Sequence, residues 1–457
     1  MISVVHTFTL NNCHIAVDSN SGNVHVLDEI SFELLTNMQE LVPLATIAPS
    51  LRAKYSDTEI AEAYSEIKLL AEQGLLFTSN SYLEHIVQQK KADHSIKALC
   101  LHVAHDCNLR CEYCFAAKGD YHSGRKLMPL EVALAAVDFL VKNSGNKHTL
   151  EIDFFGGEPL MNFDTVKKVV AYGRNIEKKS EKHFYFTITT NGTLLNKENI
   201  DFINREMDNI VISLDGRKQI HDSIRCDRSG KGTYDKIVPL AQQLVQKRGD
   251  KSYFIRGTFT ARNKDFSKDV LHLASLGFKE ISIEPVVGLG EKLFITEQDL
   301  PEILHEYETF ALKYSNVLQK KNSFRFYHFN LNLYNGPCIY KRITACGAGF
   351  EYLAVSPEGD LYPCHQFVGQ KEFSLGNVNK GITNNNLKNH FQNNNILTKE
   401  KCRDCWAKLF CSGGCHANSW YSNGTLEIPN DIACTLQKKR IECALMIQIL
   451  SRMQKKN

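Results

Sequence analysis

The sequence predicts an α/β fold: a partial (β/α)6 barrel between an N-terminal winged-helix-like domain and a C-terminal cysteine-rich domain. Three observations predict it. Short alternating runs over residues 4–28 lead into helical segments, six strand-length apolar runs alternate with helical segments from about residue 97, and cysteines crowd the last third of the chain.

The elements follow in order. HTFTL, HIAV and NVHVL, with SNSG before the last, read as a small antiparallel sheet. EISFELLTNM then reads as helix. Ser56 and Glu59 form a capping box that opens a helix ending at Gly74. GLLF reads as a returning strand, and the polar stretch 79–96 as a linker. Residues 1–90 thus make one small domain. ALCLHVAH, LEIDFFGG, YFTITTNG, NIVISLDG, FIRGTFT and EISIEPVV supply six strands of a parallel sheet. Right-handed crossovers curl such a sheet into an open barrel over residues 97–316. Chemistry in such barrels sits at the C-terminal strand ends. CNLRCEYC, GGEP, TTNG and SLDG all follow strands, so they converge on one mouth. Segment 297–315 reads as the last helix, and 317–457 as the cysteine-rich domain.

Composition narrows the class. Lys and Arg number 54 against 51 Asp and Glu in 457 residues. That balance gives no reason to expect nucleic acid or an anionic membrane as partner. No apolar run has membrane-spanning length. The start MISVVHTFTL has no basic region before an apolar segment, so the expectation is a cytoplasmic chain with reduced thiols. Fifteen cysteines in such a chain read as metal or redox sites. Cys13, Cys100 and Cys226 stand apart and read as small buried hydrophobes.

In CNLRCEYCF, Cys107, Cys111 and Cys114 are spaced to hold three irons of a [4Fe–4S] cube, leaving a fourth iron open to an outside ligand. The bland alternative is a zinc site or three buried thiols. The CxxxCxxC spacing with Tyr113 before the last cysteine resembles the radical S-adenosylmethionine enzymes. The resemblance implies that the cofactor's methionyl amine and carboxylate occupy the open iron, and that its reductive cleavage gives a hydrogen-abstracting 5′-deoxyadenosyl radical. Gly156, Gly157 and Glu158 resemble the motif that receives the methionyl ammonium. Asn191, Ser213 and Asp215 resemble polar contacts to ribose or the methionyl group, with turn chemistry as the alternative. Arg225 resembles the arginine that pairs with the cofactor carboxylate.

Cys402, Cys405, Cys411, Cys415 and Cys434, preceded by Cys346 and by Cys364, which four residues separate from Gly359, resemble the SPASM extension of peptide-modifying radical enzymes. A four-cysteine zinc ribbon over 402–415 would leave Cys346, Cys364 and Cys434 unexplained. By resemblance, Cys402, Cys405, Cys411 and Cys434 close an outer [4Fe–4S] cluster, while Cys346, Cys364 and Cys415 hold an inner one. The expected cofactors are therefore S-adenosyl-L-methionine and three [4Fe–4S] clusters. Cys338 either closes the inner cluster or leaves an iron for a substrate thiolate. His365 stands where formylglycine-forming relatives carry an aspartate, so the expected base for that reaction is missing.

The N-terminal domain resembles the precursor-recognition element of ribosomal-peptide maturases, which binds a leader peptide by strand addition. HTFTLNNCHIAVDSNSGNVHVLDEIS resembles maturases of the cysteine-rich SCIFF peptides. The resemblance implies a radical oxidoreductase that joins a substrate cysteine sulfur to carbon as a thioether, with the leader on residues 1–90. It also implies an electron donor such as ferredoxin or flavodoxin. The rivals are an anaerobic sulfatase-maturase-like, formylglycine-forming enzyme and a non-catalytic cluster-bearing scaffold. The sequence leaves open the acceptor residue, the carbon attacked, the reductant and the oligomeric state.

Overall fold

The computed structural model describes residues 4–93, 95–288, 292–320, 323–331, 333 and 338–456. Residues 1–3 of the opening run, His94 in the polar stretch and residues 334–337 ahead of Cys338 lie outside that set.

β1 (Val5–Leu10), β2 (Cys13–Asp18) and β3 (Val24–Leu27) form an antiparallel sheet in that order. Asn11 and Asn12 turn the first hairpin at φ 50° and 57°, a region that asparagine tolerates. Alternation gives the sheet two faces. Val5 and Ala16 pack with Leu34, Leu35, Ile47, Leu51, Ile60 and Ile67 of the helices Glu29–Thr36, Leu44–Leu51 and Asp57–Glu72. Cys13, Ile15 and Val17 instead enter the large core of the main body. The capping box forms as expected: Ser56 Oγ accepts from the Glu59 amide, and the Ser56 amide donates to the Glu59 carboxylate.

Two expectations for this region fail. GLLF is not a strand but a bend, with Phe77 at φ 53°. Side chains tie it to the sheet in place of a ladder: His25 Nε2 lies 3.1 Å from the Leu75 carbonyl, and the Thr78 amide donates to Asp18 at 3.0 Å. Residues 79–96 are not a free linker, because Ser81–Ala92 is a helix. Its buried Leu83 and Val87, one turn apart, pack on Ile343, Ile396, Cys402 and Leu409. Its buried Lys90 lies 3.4 Å from Glu351.

The six expected parallel strands are present as β4 (Ala98–His105), β6 (Thr149–Gly156), β7 (His183–Thr190), β8 (Asn209–Ser213), β9 (Ser252–Phe259) and β10 (Glu280–Pro285), with a short β5 (Lys126–Leu127) on the side of β4. On β6 and β7, Leu150, Ile152, Phe154, Phe184, Phe186 and Ile188 are buried in the core. The intervening Asp153, Phe155, Thr187 and Thr189 line the barrel lumen. The last barrel helix is Leu300–Leu318.

The cysteine-rich region is not a separate layer. β11 (Arg325–Phe326) adds in parallel to β10, and β12 (Tyr352–Val355) adds in parallel to β4. β13 (Asp360–Tyr362), β14 (Gly376–Asn377) and β15 (Gly381–Ile382) continue antiparallel beyond it. One twelve-stranded sheet therefore runs through both regions, and it stays open because β4 pairs with β12 and not with β10. The terminal helix Asp431–Lys456 ties the parts together: Lys439 Nζ meets Glu308 at 2.7 Å, and Glu442 meets His6 of β1 at 3.0 Å. Among the described residues no helix is long and apolar enough to cross a membrane.

Candidate active site

A cavity of about 370 Å³ opens at the C-terminal ends of the barrel strands. Cys107, Cys111, Tyr113, Cys114, Gly156, Gly157, Asn191, Ser213 and Arg225 all line it, although they come from four strand ends and a following loop. The convergence read from the sequence is therefore met. Glu158 and Asp215 are fully buried and stand behind the wall.

Besides the Leu109 amide, which donates to Cys107 Sγ at 3.4 Å, the loop after β4 is shaped by contacts that do not use its thiols. Asp106 Oδ1 accepts from the Cys107 amide at 2.8 Å, and Arg228 holds that carboxylate at 2.6 Å. Arg228 and Arg110 both donate to the Cys107 carbonyl, at 2.8 and 2.9 Å. Gly119 has φ +103°, and a Cβ there would stand 2.5 Å from the Cys107 Cβ. The glycine pair at the end of β6 is demanded by the protein's own backbone. A Cβ on Gly156 would meet the Ala104 carbonyl at 2.3 Å, and one on Gly157 the Asp106 carbonyl at 2.2 Å.

Glu158 joins two of the motifs. Its carboxylate accepts from the Asn191 amide at 2.7 Å, the Thr190 hydroxyl at 2.7 Å and the Leu160 amide at 3.0 Å. Burial still outweighs these bonds and pushes the carboxyl up to about 7. Asn191 reaches forward, donating to Asn108 Oδ1 at 2.9 Å and lying 3.7 Å from Cys107 Sγ. Asp215 joins the other motifs. It accepts from Tyr113 Oη at 2.9 Å, Arg225 Nε at 3.0 Å and the Thr258 amide at 3.0 Å, while Arg225 lies over the Tyr113 ring. Glu158 and Asp215 thus each anchor a buried hydrogen-bond network. Removing one member of a buried ion pair strands the other. Asp215→Ala should therefore destabilise the fold by about 3–5 kcal/mol, read from denaturant unfolding, and Asp215→Asn by less.

The downstream cysteines fall into two sets. Cys434 feels the charges of Cys411, Cys402 and Cys405, and burial pushes its thiol up to about 12. Cys364 feels Cys415 and Cys346 instead. Cys346, Cys364 and Cys415 thus lie near one another, and Cys402, Cys405 and Cys411 lie near Cys434. Cys346 and Cys415 keep surface open to solvent while enclosing protein raises both thiols. Cys338 is exposed and precedes the short helix Ile339–Arg342. His365 lines the barrel cavity between Phe115 and Phe155, with ring centroids at 5.5 and 5.1 Å. Burial pushes its imidazole down to about 4. A wider cleft of about 670 Å³ lies between β1 and the outer set, lined by His6, Cys405 and Trp406. His6 stacks on Trp406 there at 4.1 Å.

Residues 101–266 match the Radical SAM superfamily, and residues 346–406 match the SPASM iron–sulfur cluster-binding domain. The chain carries a radical SAM domain and a SPASM domain. It is 26% identical over 358 residues to a cysteine-type anaerobic sulfatase-maturating enzyme of Clostridium novyi, covering 72% of this chain and 91% of that one. The fold matches native anSMEcpe with bound AdoMet and the Cp18Cys peptide at TM-score 0.65 and 21% identity, over 78% of this chain and 99% of that one. It also matches Streptococcus suis SuiB bound to precursor peptide SuiA at TM-score 0.54 and 16% identity, over 94% and 99%.

The donor sets consist of cysteines, the ligand type that iron–sulfur clusters take. In the radical SAM domain the three thiols share one cavity wall, and burial pushes Cys107 up to about 12 and Cys111 to about 11. Such thiols keep their protons at neutral pH until metal displaces them.

Sequence reasoning missed Asp106, Arg110 and Arg228. Their signal was present as charged residues flanking Cys107 and following Arg225 within HDSIRCDRSG.

Proposed function

We propose that this radical SAM enzyme is a peptide maturase that forms intramolecular thioethers between cysteine sulfur and carbon in a ribosomally made, cysteine-rich precursor. The observation that carries the reading is the placement of three sets of thiols, one on the barrel cavity and two beyond it, with His365 on the cavity wall. Cys107, Cys111 and Cys114 are assigned to the barrel cluster. Cys402, Cys405, Cys411 and Cys434 are assigned to the outer one, and Cys346, Cys364 and Cys415 to the inner one, making three [4Fe–4S] centres. A cluster held by Cys107, Cys111 and Cys114 would, with S-adenosyl-L-methionine bound, supply the radical chemistry that removes hydrogen from the substrate.

The chain's own residues arrange the rest. Arg225, held by Asp215 and stacked on Tyr113, presents a cation to the cavity for the cofactor carboxylate. Gly156 and Gly157 offer backbone, and Ser213 and Asn191 offer polar side chains, on the same wall. Glu158 and Asp215 act by holding these groups in place. His365, neutral and packed between rings, orients and excludes water. The leader is assigned to residues 1–90. Among the described residues β3 pairs only with β2, and Val26 on it is 52% exposed, an edge suited to strand addition. The match to SuiB over 94% of the chain extends over most of this region. We place the reaction in the cytoplasm with a ferredoxin or flavodoxin as donor.

A second reading has one specific observation in its favour: the similarity to the C. novyi sulfatase-maturating enzyme. Incubation with reductant, S-adenosylmethionine and a cysteine-rich precursor separates the possibilities. A thioether synthase releases 5′-deoxyadenosine and consumes substrate thiols without producing aldehyde. A formylglycine-forming enzyme produces aldehyde, and a scaffold releases no 5′-deoxyadenosine.

A further inference from the structure

The barrel lumen holds a carboxylate to which the thioether chemistry has so far given no role. Asp153 stands on the inward face of β6, between the buried Ile152 and Phe154, and lines the cavity shared with Cys107, Cys111, Cys114 and His365. Its Oδ1 is buried and has no hydrogen-bond partner among the described residues. Such an atom is costly unless something else completes it. The group closest to being a counter-ion is Arg256 of β9, which lines the same cavity and whose ion pair with Glu284 is long, at 3.9 Å. Asp153 also sits on the side where the inner cysteine set approaches. Tyr352 of β12 feels both Asp153 and Cys364, and its hydroxyl lies 3.3 Å from His365 Nδ1.

A thioether requires a proton to leave. The S–H bond of the substrate cysteine breaks, the C–S bond forms on the carbon radical, one electron passes to an iron–sulfur centre, and the proton needs an acceptor. We propose that Asp153 is that acceptor, its free oxygen taking the thiol proton as sulfur is delivered to carbon. The assignment rests on the thioether reading. The residue's setting suits a proton acceptor, because burial pushes its carboxyl up to about 7 against the pull of Arg256 and Thr189. The other titratable groups that face it are Glu151 on its own strand, Cys100 on β4 and Tyr352 on β12. A base with a raised pKa is active only once ionised, so crosslinking should rise with pH through about 7.

The test compares wild type, Asp153→Asn and Asp153→Glu as reconstituted enzymes. Three readouts are needed: crosslinking across pH, deuterium transfer into 5′-deoxyadenosine from a precursor labelled at the acceptor carbon, and isotope-edited infrared titration of aspartate carboxyls. Asp153→Asn should lower crosslinking about 100-fold, far more than it lowers deuterium transfer. The limb near neutral pH should vanish in that variant and return in part in Asp153→Glu. The infrared difference between wild type and Asp153→Asn should show one carboxyl titrating near neutrality. Unimpaired crosslinking in Asp153→Asn, or a carboxyl titrating in the ordinary aspartate range, overturns the assignment alone. A wild type that forms no thioether overturns the functional reading, and this assignment with it.

Discussion

Replacing Cys107, Cys111 and Cys114 together with alanine should abolish cleavage of S-adenosylmethionine. It should also lower bound iron by about a third, from roughly twelve to eight atoms per chain. The effect should be on chemistry and not on folding. The loop's shape depends on Asp106, Arg110 and Arg228 gripping the Cys107 backbone, and none of these contacts involves a thiol. The thiols themselves face a cavity, so truncating them opens space already present. Iron analysis and chromatography of 5′-deoxyadenosine give the two readouts. Retained cofactor cleavage would remove the barrel-cluster assignment, and zinc in place of iron at 402–415 would remove the SPASM one.

Single replacement of Cys346, Cys364 or Cys415 by alanine should abolish crosslinking while leaving measurable cleavage of the cofactor without product. The three thiols lie near one another, and none is on the loop after β4 that carries Cys107, Cys111 and Cys114. Losing one should make the inner cluster labile without disturbing Cys107, Cys111 or Cys114. Cys338→Ala should behave differently, keeping full iron content and most of the crosslinking, because Cys338 is exposed at the start of a short helix. If Cys338→Ala loses iron as Cys346→Ala does, Cys338 is the fourth ligand and no iron is open to a substrate thiolate. Adding a cysteine-containing precursor should then leave the cluster spectrum unchanged. With an open iron it should shift, and an alanine-for-cysteine precursor should not shift it.

The barrel was legible because its signal is local and periodic. Each strand alternates core and lumen residues, and each motif follows its strand within a residue or two. The two downstream cysteine sets and their interleaving were legible only through resemblance to the SPASM extension, because their members come together from distant parts of the chain. What stayed hidden is what depends on contacts distant in sequence. The helix Ser81–Ala92 looked polar because its apolar face is just Leu83, Ile86 and Val87, and only the cysteine-rich region it packs against gives that face a purpose. GLLF looked like a strand because apolar composition does not reveal a positive φ at Phe77. Glu158 and Asp215 were read as contacts to the cofactor, and nothing in the sequence signalled the bonds their carboxylates accept from Asn191, Thr190, Tyr113 and Arg225. Buried polar networks of this kind couple motifs that a sequence presents one at a time. Asp153 had a signal, a carboxylate at an inward position of LEIDFFGG, but its significance comes from the neighbouring strands.

Mass spectrometry of a cysteine-rich precursor co-expressed with the enzyme under anaerobic conditions tests the central claim most directly. The thioether account predicts a product lighter by the two hydrogens that each crosslink costs. Its linked cysteines should resist alkylation, and fragmentation should place a sulfur–carbon bond between cysteine and another residue. An unmodified peptide, or one carrying an aldehyde that reacts with a hydrazide probe, would contradict it.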